Sequence, residues 1–199
     1  MEQVFIVDDD TAVRRSLGEL VRSVGLSTRL FASAAELLAA VSVASAGCLV
    51  LDIRMPGMSG LELQRELTTR GIKNPIIFIT GHGDVAMAVQ AMRAGAHDFI
   101  EKPFREQVLL DCINAALAKD RARRETSSDL IAFRARVETL TPREREIMAR
   151  IVNGQANKVI AIELGLSERT VEIHRAQVMT KTGAHSLAEL VSLVARDSD

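Results

Sequence analysis

Short apolar runs recur along the first part of the chain: "VFIV" (4–7), "STRLF" (27–31), "CLVL" (48–51), "IIFI" (76–79) and "HDFI" (97–100). Each has strand length, and turn residues such as Gly47, Pro75 and Gly95 stand near several of them. Between the first two runs Val13, Leu17, Leu20, Val21 and Val24 repeat at helical spacing, and Val85, Ala88, Val89 and Met92 do the same before the last. Five strands alternating with helices predict an α/β domain with a doubly wound parallel sheet. Each parallel return needs a crossover, so both faces of the sheet are covered.

The pattern changes after "EKPF". The stretch "EQVLLDCINAALAKDRARRE" is helical and increasingly charged, and leads through "TSSD" into "IAFRARVETL". Propensity allows one long helix or two with a break near Ser127 and Ser128. The expected division is a first domain over 1–118, a helical linker over 119–139 and a second domain over 140–199. No strand signal occurs from Thr141 onward. "TPRE" opens a helix, with Thr141 as N-cap, Pro142 in the first turn and Glu144 able to close a capping box. Gly154 ends that helix, Gly165 turns the chain, Ser167 caps a further helix that stops at Gly183, and "SLAELVSLVAR" makes a fourth. The second domain is therefore expected to be a small all-α four-helix unit.

Composition adds little to that division but excludes some classes. The 199 residues are 47 % hydrophobic and 26 % charged, as in an ordinary globule. No apolar run approaches the roughly 18 residues of a membrane span, and the N-terminus leads directly into a strand without a basic, apolar leader. A cytoplasmic protein without a membrane partner is expected. Cys48 and Cys112 lie in apolar stretches and are expected to be reduced rather than bridged. Residues 1–118 carry 11 Lys and Arg against 14 Asp and Glu, and the remainder carries 14 against 12. The basic excess of the tail suits a phosphate-binding or nucleic-acid-facing role.

The chemistry concentrates where the strands end. In open parallel sheets the ligand site lies outside the carboxyl ends of the strands. Asp8, Asp9 and Asp10 follow the first run, Asp52 the third, Thr80 the fourth and Lys102 the fifth. Clustered carboxylates with one lysine make a hard-oxygen site suited to Mg²⁺ or another divalent cation. Asp10 can instead cap the next helix. Pro103 suits a fixed, cis-compatible peptide that aims Lys102, and Gly81 leaves little bulk beside Thr80. His82 and His97 are assigned no chemistry.

"VFIVDDD", "LVLDIRMPGMSG", "IIFITGHGD" and "AGAHDFIEKPF" together resemble the receiver domain of a two-component response regulator. The tail "LTPREREIMARIVNGQANKVIAIELGLSERTVEIHRAQVMTKTGAHSLAELV" resembles a LuxR-type helix-turn-helix, and the pairing resembles the NarL/FixJ family. The resemblance implies a flavodoxin-like receiver in which Asp52 accepts a phosphoryl group from a sensor histidine kinase. It further implies that Asp8 and Asp9 bind Mg²⁺ with Asp52 and the backbone carbonyl of Arg54. Thr80 would be the switch hydroxyl, Lys102 the phosphate partner and Phe99 an aromatic rotor, although Phe99 read by itself is an ordinary core residue. Phosphorylation would promote a homodimer that binds double-stranded promoter half-sites, with RNA polymerase a further partner. Catalysis would extend only to the domain's own phosphotransfer and dephosphorylation.

Taken as a helix at 100° per residue, 168–182 turns Val171, Val178 and Thr182 inward with His174 beside them. Arg169, Ile173, Ala176 and Thr180 then point outward, flanked by Glu172. Asn157, Lys158, Thr170, Arg175 and Lys181 are candidate phosphate contacts. Glu172 is repelled by phosphates but can accept from a cytosine amino group. Two rivals remain. "DDDT" partly fits a Mg²⁺-dependent phosphatase of the haloacid dehalogenase type with Asp8 as nucleophile, although Ala12 departs from its pattern. The tail could also belong to an adaptor that binds protein or RNA.

Overall fold

The computed structural model describes residues 2–81 and 85–198, so His82 lies outside the described residues. The first half alternates β1 (Gln3–Val7), α1 (Thr11–Ser23), β2 (Ser27–Phe31), α2 (Ala34–Ala40), β3 (Gly47–Asp52), α3 (Gly60–Thr69), β4 (Ile76–Thr80), α4 (Val85–Arg93) and β5 (Asp98–Glu101). The strands form one parallel sheet in the order β2-β1-β3-β4-β5, as the alternation predicts. Alternate residues of the inner strands go to opposite faces. Val4, Ile6, Cys48, Val50, Ile77 and Ile79 pack with Leu17 and Val21 of α1 and with Leu109, Ile113 and Ala116. Phe5, Val7, Leu49, Leu51 and Phe78 pack with Leu37, Leu63, Leu67 and Ala91 on the other side.

α4 departs from the expected packing. Its apolar periodicity is present, but Val85 is 82 % exposed, and Val89 and Met92 are also exposed. Ala91 is the fully buried residue, with Met87 half-buried beside the core. Periodicity identifies the helix without identifying which stripe meets the sheet.

The charged stretch after β5 is one helix, α5 (Glu106–Glu138), which runs unbroken through Ser127 and Ser128. The chain divides into two compact units at Arg123 and Arg124, and the stretch expected as a linker is shared between them. In the first unit, the fully buried Asp120 carboxylate accepts the Gly47 N–H at 2.9 Å and pairs with Arg123. In the second, Phe133 lies in a core with Leu140, Val178, Ala184 and Leu190. Tertiary packing of this kind outweighs the modest helix propensity of a serine pair.

The second unit continues with α6 (Pro142–Val152), α7 (Asn157–Leu164), α8 (Glu168–Thr182) and α9 (Leu187–Ser198). The capping box of Thr141 and Glu144 is formed, and Gly165 ends α7 in the left-handed conformation at φ 64°. A short turn and the Ser167 N-cap then lead into α8, which is the helix-turn-helix connection. Val171, Val178 and Thr182 are fully buried, so the inward stripe read from the sequence is the packed one. Both cysteines are free thiols, and burial pushes each up to about 12. Among the described residues no helix is long and apolar enough to cross a membrane.

Candidate functional site

The carboxyl ends of β1, β3, β4 and β5 place Asp8, Asp52, Thr80 and Lys102 at one rim of the sheet. Lys102 reaches back across the ends of the strands. Its Nζ lies 3.1 Å from Asp8 Oδ2 and 3.7 Å from Asp52 Oδ1, and its backbone N–H donates to the Thr80 carbonyl at 2.8 Å. The Lys102–Pro103 peptide is cis. Asp8 is almost fully buried, and its second oxygen accepts the Asp10 N–H at 2.9 Å. Asp9 is exposed beside it, and Phe99 is half-buried against the α3/α4-side core. Asp10 caps α1, accepting from the N–H groups of Ala12 and Val13.

Asp52 is half-buried, and its Oδ2 accepts the Arg54 N–H at 3.1 Å. Burial raises its pKa above the usual carboxylate range, Lys102 opposes that rise, and the negative charges of Asp8 and Asp9 add to it. The acids are therefore close enough to repel one another, and one lysine offsets them only partly. A divalent cation would complete the balance. No group of three or more His, Cys, Asp or Glu among the described residues closes into a cage for an ion. Mg²⁺ binds through one or two carboxylates and keeps waters and phosphoryl oxygens as its other ligands. The hard-oxygen donor set around Asp8, Asp9 and Asp52 fits it.

Two supports of this rim carry no obvious sequence signal. Arg14 Nη1 donates to the carbonyls of Asp8 at 2.6 Å and Asp9 at 3.3 Å, tying the acidic loop to α1. Gly60 lies against the Asp52 carbonyl, and a Cβ there would come within 2.4 Å of that oxygen and 3.0 Å of the Phe78 ring. An arginine one turn into a helix is unremarkable in sequence. The glycine is legible only once β3 and α3 are placed.

In the second unit, Arg169, Glu172, Ile173, Ala176, Gln177 and Thr180 are exposed on α8. Arg175 Nη1 donates to Asn157 Oδ1 at 2.8 Å, linking α7 to α8, while Lys158 is exposed and Thr170 half-exposed. Lys181, expected to face phosphate, turns inward instead: its Nζ lies 2.7–2.8 Å from both oxygens of the buried Glu144. Lys181 and the Thr141 backbone N–H hold the Glu144 carboxyl below its ordinary value of 4.5. A carboxylate with a depressed folded pKa contributes stability that is full above the unfolded value and is lost as pH falls through the folded one. The melting midpoint of the chain, followed by helical circular dichroism, should thus fall more steeply below about pH 5 for wild type than for Glu144→Gln. Equal slopes would mean that the pair adds nothing.

The chain matches the response regulator receiver domain over residues 4–114 and the LuxR family of bacterial regulatory proteins over 138–194. Nodulation protein W of Bradyrhizobium diazoefficiens is 50 % identical over 190 residues, covering 96 % of this chain and 84 % of that protein. The transcriptional regulatory protein FixJ of Azorhizobium caulinodans is 47 % identical over 192 residues, covering 96 % and 90 %. Among solved structures, the response regulator StyR is 45 % identical with a TM-score of 0.82, covering 98 % of each chain. Full-length FixJ from B. japonicum is 42 % identical with a TM-score of 0.61, covering 99 % of this chain and 97 % of that one. With an acidic rim on a parallel sheet in one unit and a helix-turn-helix in the other, the chain belongs to the two-component response regulators that join a receiver domain to a LuxR-type DNA-binding domain.

Proposed function

We propose that Asp52 is the phosphoacceptor and that its phosphorylation by a sensor histidine kinase controls transcription through the helix-turn-helix. The observation that carries this reading is the meeting of Asp8, Asp52 and Lys102 at one rim, with Lys102 Nζ within 3.7 Å of both acids. In-line phosphoryl transfer needs a positioned nucleophile and neutralised phosphoryl oxygens. Asp52 supplies the carboxylate oxygen, and Lys102 is placed to pair with the oxygens of the arriving group. Thr80 ends the adjacent strand and supplies a hydroxyl. Mg²⁺, held by Asp8, Asp9, Asp52 and the Arg54 carbonyl, would neutralise further charge there.

The output follows from the elements that flank Thr80. Drawing Thr80 toward a phosphoryl oxygen would shift Phe99 and the surface of α4 and β5. Val85, Val89 and Met92 are exposed there and suit a homodimer contact. Two α8 helices would then enter adjacent major grooves. Arg169, Glu172, Ile173 and Ala176 would face base edges, with Asn157, Lys158, Thr170 and Arg175 toward phosphates. Lys181 can join them only by leaving Glu144. RNA polymerase is the expected downstream partner and the cytoplasm the expected compartment.

The test is duplex affinity against genomic fragments, with and without acetyl phosphate and Mg²⁺. Binding to a selected fragment should tighten for wild type and stay unchanged for Asp52→Asn. Equal tightening of both proteins would remove Asp52 from the switch, and absence of duplex binding would remove DNA as the output.

A further inference from the structure

The outward face of α8 is unusual in what it lacks. A helix that reads guanine presents arginine or lysine to the O6 and N7 acceptors. α8 carries three cations, Arg169, Arg175 and Lys181. Two of them are held within the unit, Arg175 by Asn157 and Lys181 by Glu144. Arg169 stands alone at the N-terminal end of the face. The centre of the face is Ile173, 51 % exposed, with Ala176, Gln177 and Thr180 around it. These four and Lys181 line a shallow depression of about 350 Å³. Ile173, Ala176, Gln177 and Thr180 lie opposite the buried Val171–Val178–Thr182 stripe, so they point away from the unit's own core.

An exposed isoleucine beside an alanine, on the face of a helix-turn-helix opposite its core, needs an apolar partner. In the major groove the one apolar feature on a base edge is the C5-methyl of thymine. Gln177, four residues after Ile173 and so beside it on the helix, can give and take hydrogen bonds with adenine N7 and N6. Glu172 at the flank can accept only from a donor, such as a cytosine amino group, and it is repelled by the O6 and N7 acceptors of guanine.

We infer that the centre of the half-site bound by this chain is a T·A-containing step, read by Ile173 and Ala176 against thymine methyl groups and by Gln177 against adenine. This rests on the proposed DNA-binding role of α8 and adds the base chemistry that role would require. Guanine readout is confined to the end of the half-site that meets Arg169.

The experiment uses the full-length chain with acetyl phosphate and Mg²⁺ to select duplexes from a randomised pool. Each thymine of the selected half-site is then replaced in turn by uracil, which removes the methyl group and leaves every hydrogen-bonding atom in place. One or two central positions should weaken binding about four-fold per methyl, the equivalent of one buried methyl group. Ile173→Ala should shrink the uracil effect at the position Ile173 meets while leaving any at the position Ala176 meets, and Gln177→Ala should relax selection at the neighbouring adenine without removing the uracil effect. Selected sites that lack central thymine, or uracil effects undiminished at every central position in Ile173→Ala, would overturn the inference while leaving DNA binding intact. Recovery of no duplex by wild type would overturn both this inference and the proposed function.

Discussion

A chain carrying Asp52→Asn should take up no phosphoryl group from acetyl phosphate and Mg²⁺, whereas Lys102→Ala should still take it up, about 10²-fold more slowly. The difference lies in what each residue contributes. Asparagine removes the carboxylate nucleophile and leaves an amide hydrogen-bonded in much the same place, because the Arg54 N–H still finds an acceptor oxygen. Asp8 does not replace it, being almost fully buried and already accepting from the Asp10 N–H and from Lys102. Loss of Lys102 leaves the nucleophile in place but withdraws the cation that lies between the two acids, so charge on the transferring group is less well neutralised. Typical losses for one such electrostatic partner are about 10²–10³ in rate. Intact-mass spectrometry over time reads both variants. Uptake by Asp52→Asn at the wild-type rate, together with its loss in Asp8→Asn, would move the nucleophile to β1 and revive the phosphatase reading.

The second large effect is on folding. Gly47→Ala should destabilise the receiver unit by roughly 4 kcal/mol or more, placing it among exceptional single substitutions. Gly47 begins β3, beside the first residue of β1, at φ +129°, where side chains are rarely accommodated. A Cβ there would sit 1.8 Å from the Gln3 carbonyl oxygen and 2.8 Å from two further backbone atoms, none of which can swing aside as a side chain does. Moving the strand would also break the bond from the Gly47 N–H to the buried Asp120 carboxylate and leave that charge short of a donor. Gly25→Ala is the control. Its φ is +81°, but nothing lies within 4 Å of the added carbon, so only the backbone preference of about 1–2 kcal/mol is lost. Urea unfolding of both variants should separate strain from collision. Equal losses would show that the sheet can open at β1 and β3.

The residues at the acidic rim were legible because strand ends in a parallel sheet are fixed by the apolar runs themselves. Once "VFIV", "CLVL" and "IIFI" are strands, Asp8, Asp52 and Thr80 must lie at one edge. The cap at Asp10, the box at Thr141 and Glu144 and the turn at Gly165 were equally local. What stayed hidden depends on partners distant in sequence. Asp120 and Gly47 are 73 residues apart, and nothing near either announces the other. Lys181 looked like a surface cation because the acid that holds it lies 37 residues away, at the start of a different helix. The continuity of α5 depends on packing at Phe133 and Asp120 rather than on propensity at Ser127 and Ser128.

The position of β1 also bears on how the chain is made. It is the earliest strand of the sheet to be synthesised, yet it lies between β2 and β3. Its second neighbour does not exist until residues 47–52 have been translated. At roughly 5–20 residues per second, adding the 45 residues from Asp8 to Asp52 takes about 2–9 s. Both edges of "VFIV" are open until β2 is made, and one stays open until β3 follows, available to chaperones or to another chain on a neighbouring ribosome.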